Sequence, residues 1–323
     1  MELSPKLIEK LQLLQEKYSS MGQDLESYLD GLLYADYLTY WDYIHLDTLL
    51  SLQSPITSFP DEEIFIMYHQ ITELYFKLCL HEFEQIREKT DFDVSWLTAR
   101  ITRINRYFEA LTKSFDIMVD GMDRDQFLKF RMSLLPASGF QSAQYRMIEI
   151  CSATFDRLVE EPARQDFPTY FSKDDIPAMY DRVYWKMGAT ELSTGNKTLT
   201  LQQFEIKYSK ELIDLAKKFL GKTLWDKVQA LPAEDQKNEP LLISLRWLDT
   251  NVNVNWPLAH YKSAVRYLHK NPEDIAATGG TNWQKYLPPR FQRRIFFPQV
   301  WSEQELADWG KGWVESVVFN QST

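Results

Sequence analysis

The amino-acid sequence predicts an all-α protein. Along most of the chain, apolar residues recur with the spacing of about 3.6 residues that is typical of amphipathic helices. Only 11 glycines and 14 prolines interrupt 323 residues, so long helices are expected. The alternation and turn residues that are typical of β-hairpins are nearly absent. Because no linker or repeat of fixed period divides the chain, we predict a single helical domain over residues 1–323.

The predicted helices are bounded by their apolar spacing and their capping residues. The first is capped by Ser4 with Pro5 in its first turn, and the last opens on the capping-box pair Ser302 and Glu305. The spacing predicts helices over 6–19, 25–40, 62–89, 94–119, 124–134, 141–154, 201–231 and 240–270. Two stretches, 160–196 and 271–300, lack this spacing, and we predict that 160–196 is an irregular insertion.

The charge and composition of the chain argue against several functions. A formal net charge of −10 and a pI near 5.1 disfavour binding to nucleic acid or to an anionic membrane surface, since both need basic residues. The N-terminal residues lack the pattern of a signal peptide, and no run of about 18 apolar residues appears. Cys79 and Cys151 lie in apolar helical contexts and are predicted to be buried thiols. We expect a cytoplasmic protein.

A histidine lies in the middle of the segment 61–81, which is apolar nearly all round and falls in the helix predicted over 62–89. One face of this helix carries Phe65, His69, Thr72 and Phe76, and another carries Ile64, Met67, Ile71, Leu74 and Leu78. Such a helix is expected inside the protein. A buried imidazole is either satisfied by neighbours in the core or available to a ligand in a cavity, and spacing alone leaves both interpretations open.

Few other residues offer chemistry. None of the five histidines forms a short-range zinc motif, and phosphate-binding loops, nucleophile elbows and the covalent haem motif are absent from the sequence. His69 and His260 both lie in apolar or aromatic helices, as the two axial sides of a non-covalent haem would require. Arg131 follows an aromatic stretch and could hold a carboxylate, or it could be a surface arginine.

Five separated motifs, in this order, resemble tryptophan 2,3-dioxygenase. They are YWDYIHLDTLL at 40–50, DEEIFIxxHQxxEL at 61–74, Phe130-Arg131, SGFQSxQYRxIE at 138–149, and the His260 helix followed by Thr278-Gly279-Gly280 and FPxxW at 297–301. The resemblance is close over residues 35–150 and looser over 240–305.

The resemblance implies an all-α fold that encloses haem b and gives roles to matching residues. His260 would bind the haem iron, and Ser138 and Gly139 would contact the haem. His69 would accept a hydrogen bond from the indole N–H of L-tryptophan, and Phe65 would lie against the indole ring.

The resemblance also implies how the substrate's charged groups are held. Arg131 would pair with the carboxylate, and Thr278 would contact the ammonium group. Tyr40 and Tyr43 match a segment that completes a neighbouring subunit's site, so a homotetramer with residues 1–45 in subunit contacts is expected. The implied reaction, in the kynurenine pathway, inserts dioxygen across the indole C2–C3 bond and gives N-formyl-L-kynurenine.

Two features depart from the family pattern. Phe127 stands where the family usually has a tyrosine that helps to hold the carboxylate, and the loop reads Thr278-Gly279-Gly280-Thr281-Asn282-Trp283 in place of a serine-rich sequence. Weaker tryptophan binding is expected because a hydrogen bond is missing. Two alternatives therefore stay open: a related haem oxygenase acting on another indole or aromatic amino acid, and a helical haem-binding or scaffold protein without turnover.

Overall fold

The computed structural model describes residues 3–35, 38–134, 141–190, 196–268 and 294–309, and it is all-α as predicted. No strand occurs among these residues, which form two isolated β-bridges, Val159 with Val183 and Thr190 with Lys197. Backbone contacts separate two compact units, residues 1–54 and 55–323. The single domain over 1–323 stays a prediction.

The described residues of the unit 1–54 form four helices, α1 (Pro5–Ser20), α2 (Leu25–Leu33), α3 (Tyr40–Tyr43) and α4 (Leu46–Leu49). Ser4 caps α1 as predicted, because its side chain accepts from the Leu7 N–H. The predicted helix over 25–40 is wrong beyond Leu33, since Thr39 caps the separate helix α3 by accepting from the Asp42 N–H. None of the residues of α1 is buried.

The described residues of the unit 55–323 form further helices. They are α5 (Asp61–Glu88), α6 (Val94–Ser114), α7 (Asp116–Asp120), α8 (Arg124–Phe130), α9 (Ala143–Ser152), α10 (Ile176–Tyr180), α11 (Tyr184–Met187), α12 (Leu199–Phe219), α13 (Leu224–Gln229), α14 (Glu239–Thr250), α15 (Trp256–Leu268) and α16 (Glu303–Ala307). A 3₁₀ turn, Arg131–Leu134, extends α8, and a π-helical turn, Asn251–Asn255, joins α14 to α15. The capping box of Ser302 and Glu305 opens α16 as predicted.

Two long predicted helices are divided where the backbone turns. The helix predicted over 201–231 ends at Phe219, because Gly221 has a positive φ of 70° and Thr223 then caps α13. The helix predicted over 94–119 is divided at Phe115 into α6 and α7. In both cases the apolar spacing continues across the break, which is why periodicity missed it.

The core lies among α5, α6, α9, α12 and α14, which pack against one another. Side chains from within the predicted irregular region also enter it, since Ile176, Met179, Tyr180 and Trp185 are buried. Cys79 and Cys151 are buried free thiols, as predicted, and burial raises the pKa of each well above its ordinary value. Within the described ranges, none of the helices combines the length and apolar character needed to cross a bilayer.

Helix α5 presents one face to the core and one to solvent. Thr72 and Phe76 are buried, and Phe65 and His69 are half-buried, as predicted for their face. The prediction that the whole helix is interior is wrong, because Met67, Ile71, Leu74 and Leu78 are 39–49% exposed. We name these four residues the apolar stripe of α5.

Candidate active site

His69 occupies the first half of α5, where its imidazole is half-buried. Its Nδ1 lies 2.7 Å from the carbonyl oxygen of Phe65, four residues earlier, so Nδ1 carries the proton and donates it. Loss of solvent lowers the pKa of His69, although this hydrogen bond and the charge of Glu73 act in the opposite direction. The ring is therefore neutral near pH 7, with the lone pair of Nε2 available to accept a hydrogen bond.

His260 has the same arrangement on α15. Its Nδ1 lies 3.2 Å from the carbonyl oxygen of Trp256, four residues earlier, which leaves the lone pair of Nε2 free to bind a metal ion. Burial and, to a smaller extent, electrostatic repulsion from His69 lower the pKa of His260 to about 4, against the effect of the hydrogen bond to Trp256. The two imidazoles therefore lie near enough to influence each other's protonation, and both are neutral at physiological pH.

Aromatic rings connect the surroundings of the two histidines. Phe115 lies 4.5 Å from the His260 ring and 5.6 Å from the Tyr68 ring, measured between centroids. Tyr68 in turn meets His69 edge to face at 5.8 Å. Trp256 lies 4.6 Å from His260 and 5.2 Å from Phe115. Both histidines thus border one apolar, aromatic region, as an enclosed flat ligand would require.

A second group of rings lies beside His69. Phe65 is 4.1 Å from His69, and its other neighbours are Phe130 at 5.8 Å and Phe127 at 6.3 Å. Phe127 and Phe130 come from α8 and meet each other edge to face. This apolar wall suits a planar aromatic group lying next to the Nε2 of His69.

Arg131 immediately follows Phe130 and is 8% exposed, so the surface-arginine interpretation is wrong. Burial lowers the pKa of its guanidinium, although not enough to remove the charge at neutral pH. The guanidinium lies at the end of the helix whose phenylalanines border Phe65. A buried cation at that position is suited to binding a ligand's carboxylate.

Several predicted site residues lie elsewhere in the chain. Ser138, Gly139 and Thr278, with Gly279 and Gly280, fall outside the described residues, and their roles stay predictions. Tyr40 and Tyr43 belong to the unit of residues 1–54 and are 70% and 72% exposed.

The match to known proteins decides the family. A family model described as tryptophan 2,3-dioxygenase matches residues 32–231. The chain belongs to the tryptophan 2,3-dioxygenase family. This confirms the resemblance carried by the five motifs.

Individual relatives differ in how much of the chain they cover. A tryptophan 2,3-dioxygenase of Ruegeria sp. (strain TM1040) is 40% identical over 117 residues, which span 36% of this chain and 42% of that protein. Tryptophan 2,3-dioxygenases of Bacillus thuringiensis subsp. konkukian (strain 97-27) and Bacillus anthracis are 28% and 29% identical, each over 82% of this chain and 91% of its own length. The similarity to the Bacillus members of the family therefore extends over nearly their whole length.

Parts of the family motifs hold the structure around the site. In the SGFQSxQYRxIE motif, Arg146 donates to Glu149 at 3.0 Å and to Tyr184 at 2.8 Å, and Arg294 also donates to Glu149 and Tyr184. This buried cluster joins α9 to α11 and to Arg294.

The FPxxW motif is fastened to α14 by Asp249. The carboxylate of Asp249 accepts from the backbone N–H of Phe296 at 2.9 Å, from that of Phe297 at 3.2 Å, and from the indole of Trp301 at 3.0 Å. Complete burial raises the pKa of Asp249 to about 6 against the effect of these bonds. This motif therefore acts as an anchor within the fold.

The sequence did not predict the rings that pack against the two histidines, which are those of Tyr68, Phe115 and Trp256. Trp256 could have been found because a residue four positions before a helical histidine lies on the same face. Phe115 carries no such signal, since only the packing of α6 against α15 brings it to His260.

Proposed function

We propose that this chain is a haem-dependent dioxygenase that inserts both atoms of dioxygen across the C2–C3 bond of L-tryptophan, giving N-formyl-L-kynurenine. The observation that carries the proposal is the pair of neutral imidazoles, His69 and His260, that border one aromatic region. Membership of the family and the names of its Bacillus and Ruegeria relatives support the same reaction.

The residues around His260 fit a haem group. A neutral imidazole whose Nδ1 is already bonded has Nε2 available, so His260 would hold the haem iron, and the Trp256 carbonyl fixes the ring orientation. The surrounding rings of Phe115 and Trp256 suit a flat, apolar macrocycle. Haem b, when bound, supplies the iron that activates dioxygen. Ser138 and Gly139 are proposed as further haem contacts.

The side of the site that carries His69 is proposed to orient the substrate. Because Nδ1 of His69 donates to the Phe65 carbonyl, its Nε2 can accept a hydrogen bond from the indole N–H. The Phe65 ring provides an apolar surface for the indole, and the phenylalanines of α8 exclude water beside it. Such positioning lowers the entropic part of the barrier before any bond changes.

The charged end of the amino acid is assigned to Arg131 and Thr278. The Arg131 guanidinium is buried, so its attraction to a carboxylate is weakly screened. Thr278 is proposed to contact the ammonium group. Phe127 lies near Phe65 and Phe130 and has no hydroxyl, so the carboxylate loses one donor that the family usually provides. This departure favours weaker tryptophan binding and supports, as second candidate, an enzyme acting on a related indole or aromatic amino acid.

We further propose that the protein is a homotetramer in which Tyr40 and Tyr43 complete a neighbour's site. The unit of residues 1–54 exposes many large apolar side chains, among them Leu32, Leu33, Tyr34, Tyr40, Trp41 and Tyr43. The apolar stripe of α5 is exposed as well. Surfaces of this kind mark contacts with other protein chains. Light scattering of the purified protein tests the mass, and a monomer at micromolar concentration would contradict the proposal.

A cytoplasmic location belongs to the same proposal. Both cysteines are free, buried thiols, which suits a reducing compartment.

The reaction is tested by absorption spectra of the reduced protein without oxygen, recorded with and without L-tryptophan, followed by addition of oxygen. We expect a Soret band, a shift of that band on binding, and a product heavier than tryptophan by two oxygen atoms. A Soret band without turnover of tryptophan, but with turnover of another indole, would select the second candidate. Absence of the band after haem supplementation would leave a scaffold protein without haem.

A further inference from the structure

The helical run that contains His260 is interrupted by the π-helical turn Asn251–Asn255. Pro257, the second residue of α15, explains why the α-helix cannot continue. Proline has no N–H, and its ring clashes with the carbonyl four residues earlier, here that of Asn253. A π-helical turn relieves this conflict because its hydrogen bonds join residues five apart.

The π-helical turn places Pro257 where the Val252 carbonyl would need a backbone donor. The Trp256 N–H donates to the Asn251 carbonyl, in the π register. The next donor in that register would be Pro257, whose nitrogen has no hydrogen to give to the Val252 carbonyl. The hydroxyl of Tyr145, on α9, donates to this carbonyl at 2.8 Å. Both Tyr145 and Val252 are buried, so water does not replace this bond readily.

Neighbouring groups orient the Tyr145 hydroxyl toward the Val252 carbonyl and support the turn. Arg294 donates to the Tyr145 oxygen at 3.4 Å, which leaves the hydroxyl proton for Val252. The other side of the turn is held by amide pairs: Asn251 donates to Asn105 at 3.2 Å, and Asn105 donates to the Ser244 carbonyl at 2.9 Å. Helices α6 and α9 therefore hold the turn from two sides.

The extra residue of the turn determines which side chain faces the site. Three helical turns of about 3.6 residues lead from the buried Leu248 to residue 259, which is Ala259. One additional residue rotates the rest of the helix by about 100° and brings position 260 to that face. His260 then lies against Phe115 and donates to the Trp256 carbonyl.

We propose that Tyr145 is a positioning residue for His260: by donating to the Val252 carbonyl, it stabilises the π-helical turn that directs the imidazole toward the haem. The inference rests on the proposed function, since it takes His260 as the haem ligand. Tyr145 itself is separated from the iron ligand by the backbone of the turn.

The first test compares Tyr145→Phe with Tyr180→Phe. Tyr180 is also buried, and its hydroxyl is bonded to Ser209 at 3.2 Å, away from α15. Titration of apoprotein with haem should show an affinity about 10- to 100-fold weaker for Tyr145→Phe, as for other groups that orient a metal ligand. Hydrogen exchange in the apoprotein should be faster at the Trp256 amide. Tyr180→Phe should change neither measurement.

A second test uses Pro257→Ala, which returns a backbone N–H to the turn. In that background the α-helix can continue, so Pro257→Ala should itself weaken haem binding. Adding Tyr145→Phe should then weaken it by less than about threefold more, because the turn that Tyr145 stabilises is no longer required. The inference is overturned if folded Tyr145→Phe binds haem as the wild type does, or if its loss is equal in both backgrounds. If the wild type binds no haem, the proposed function fails. Exchange at the Trp256 amide then decides whether Tyr145 holds the turn.

Discussion

The two histidines of the site make the same local hydrogen bond but depend on different parts of the protein. His69 lies inside the uninterrupted, 28-residue helix α5, whose own backbone bonds fix its position. His260 follows an interrupted helix that is held by side chains from α6 and α9. The difference indicates that the proposed substrate side, which carries His69, is secured locally, whereas the proposed cofactor side, which carries His260, depends on tertiary contacts. Substitutions should therefore separate the two sides.

Removing each imidazole is expected to give the largest difference between the effects on haem retention and on substrate binding. His260→Ala should abolish stoichiometric haem retention, because the residue proposed to hold the haem iron is lost. His69→Ala should keep the haem and lose the acceptor for the indole N–H. Absorption spectra after desalting measure retention. A His260→Ala protein with unchanged ligation, or a His69→Ala protein without haem, would contradict the assignment of sides.

Arg131→Ala should affect the substrate side alone. Removing one partner of a buried charge pair costs about 2–5 kcal/mol, so binding of tryptophan should weaken by about 30-fold or more. Indole compounds without a carboxylate should change far less, and haem content should stay as in the wild type. Equal losses for both kinds of ligand would remove the proposed role of the guanidinium.

The cofactor side should also respond to pH in the apoprotein. His260 has a pKa of about 4 when folded, whereas its ordinary value is 6.5. The unfolded chain therefore binds this proton first as pH falls, and the stability contributed by the neutral ring is lost between pH 6.5 and about 4. Between pH 7 and pH 5, the free energy of unfolding should fall by about 2 kcal/mol less in His260→Gln than in the wild type. Urea unfolding measures this difference.

Asp249 supplies the matched control for this measurement. Its pKa of about 6 lies above its ordinary value of 3.8, so the folded state binds this proton first and gains stability as pH falls through that window. Asp249→Asn should thus change the pH dependence in the direction opposite to His260→Gln. A pH dependence that is the same in wild type and His260→Gln would show that the ring titrates normally.

The smallest effect is expected from restoring the hydroxyl that the family usually has. Phe127→Tyr adds a donor on α8 without changing the ring, and one hydrogen bond should strengthen tryptophan binding by about 2- to 10-fold. Equilibrium titration of the reduced protein with tryptophan measures this. Phe130→Tyr is the comparison. Phe130 is fully buried, so a hydroxyl added there should destabilise the folded protein. Unchanged affinity in Phe127→Tyr would show that another group already replaces the family's tyrosine.

The regular part of the fold was predictable from the sequence. The spacing from Asp61 to Glu88 and the caps at Ser4 and Ser302 define their helices through interactions within a few residues. The divisions at Phe115 and Gly221 and the π-helical turn were missed because apolar spacing continues through them. A proline at position 257, inside the helix predicted over 240–270, is the sequence signal of the π-helical turn.

The site was predictable as far as the family motifs reached. Phe65, His69, Arg131 and His260 come from the resemblance, and the structure adds their burial and the tautomers of the two imidazoles. Tyr68, Phe115 and Tyr145 were not predicted as site residues. Phe115 and Tyr145 act through packing or hydrogen bonds with residues more than a hundred positions away, which one sequence does not reveal.

Helix α5 carries Phe65 and His69 on its inner side and the apolar stripe on its outer side. The width of a helix, about 10 Å, is all that divides them. A molecule that covers Met67 and Ile71 would therefore contact the helix that positions His69, the proposed acceptor for the indole N–H. If the proposed subunit contacts cover the apolar stripe, dilution of the protein should change the Michaelis constant before the helical signal is lost.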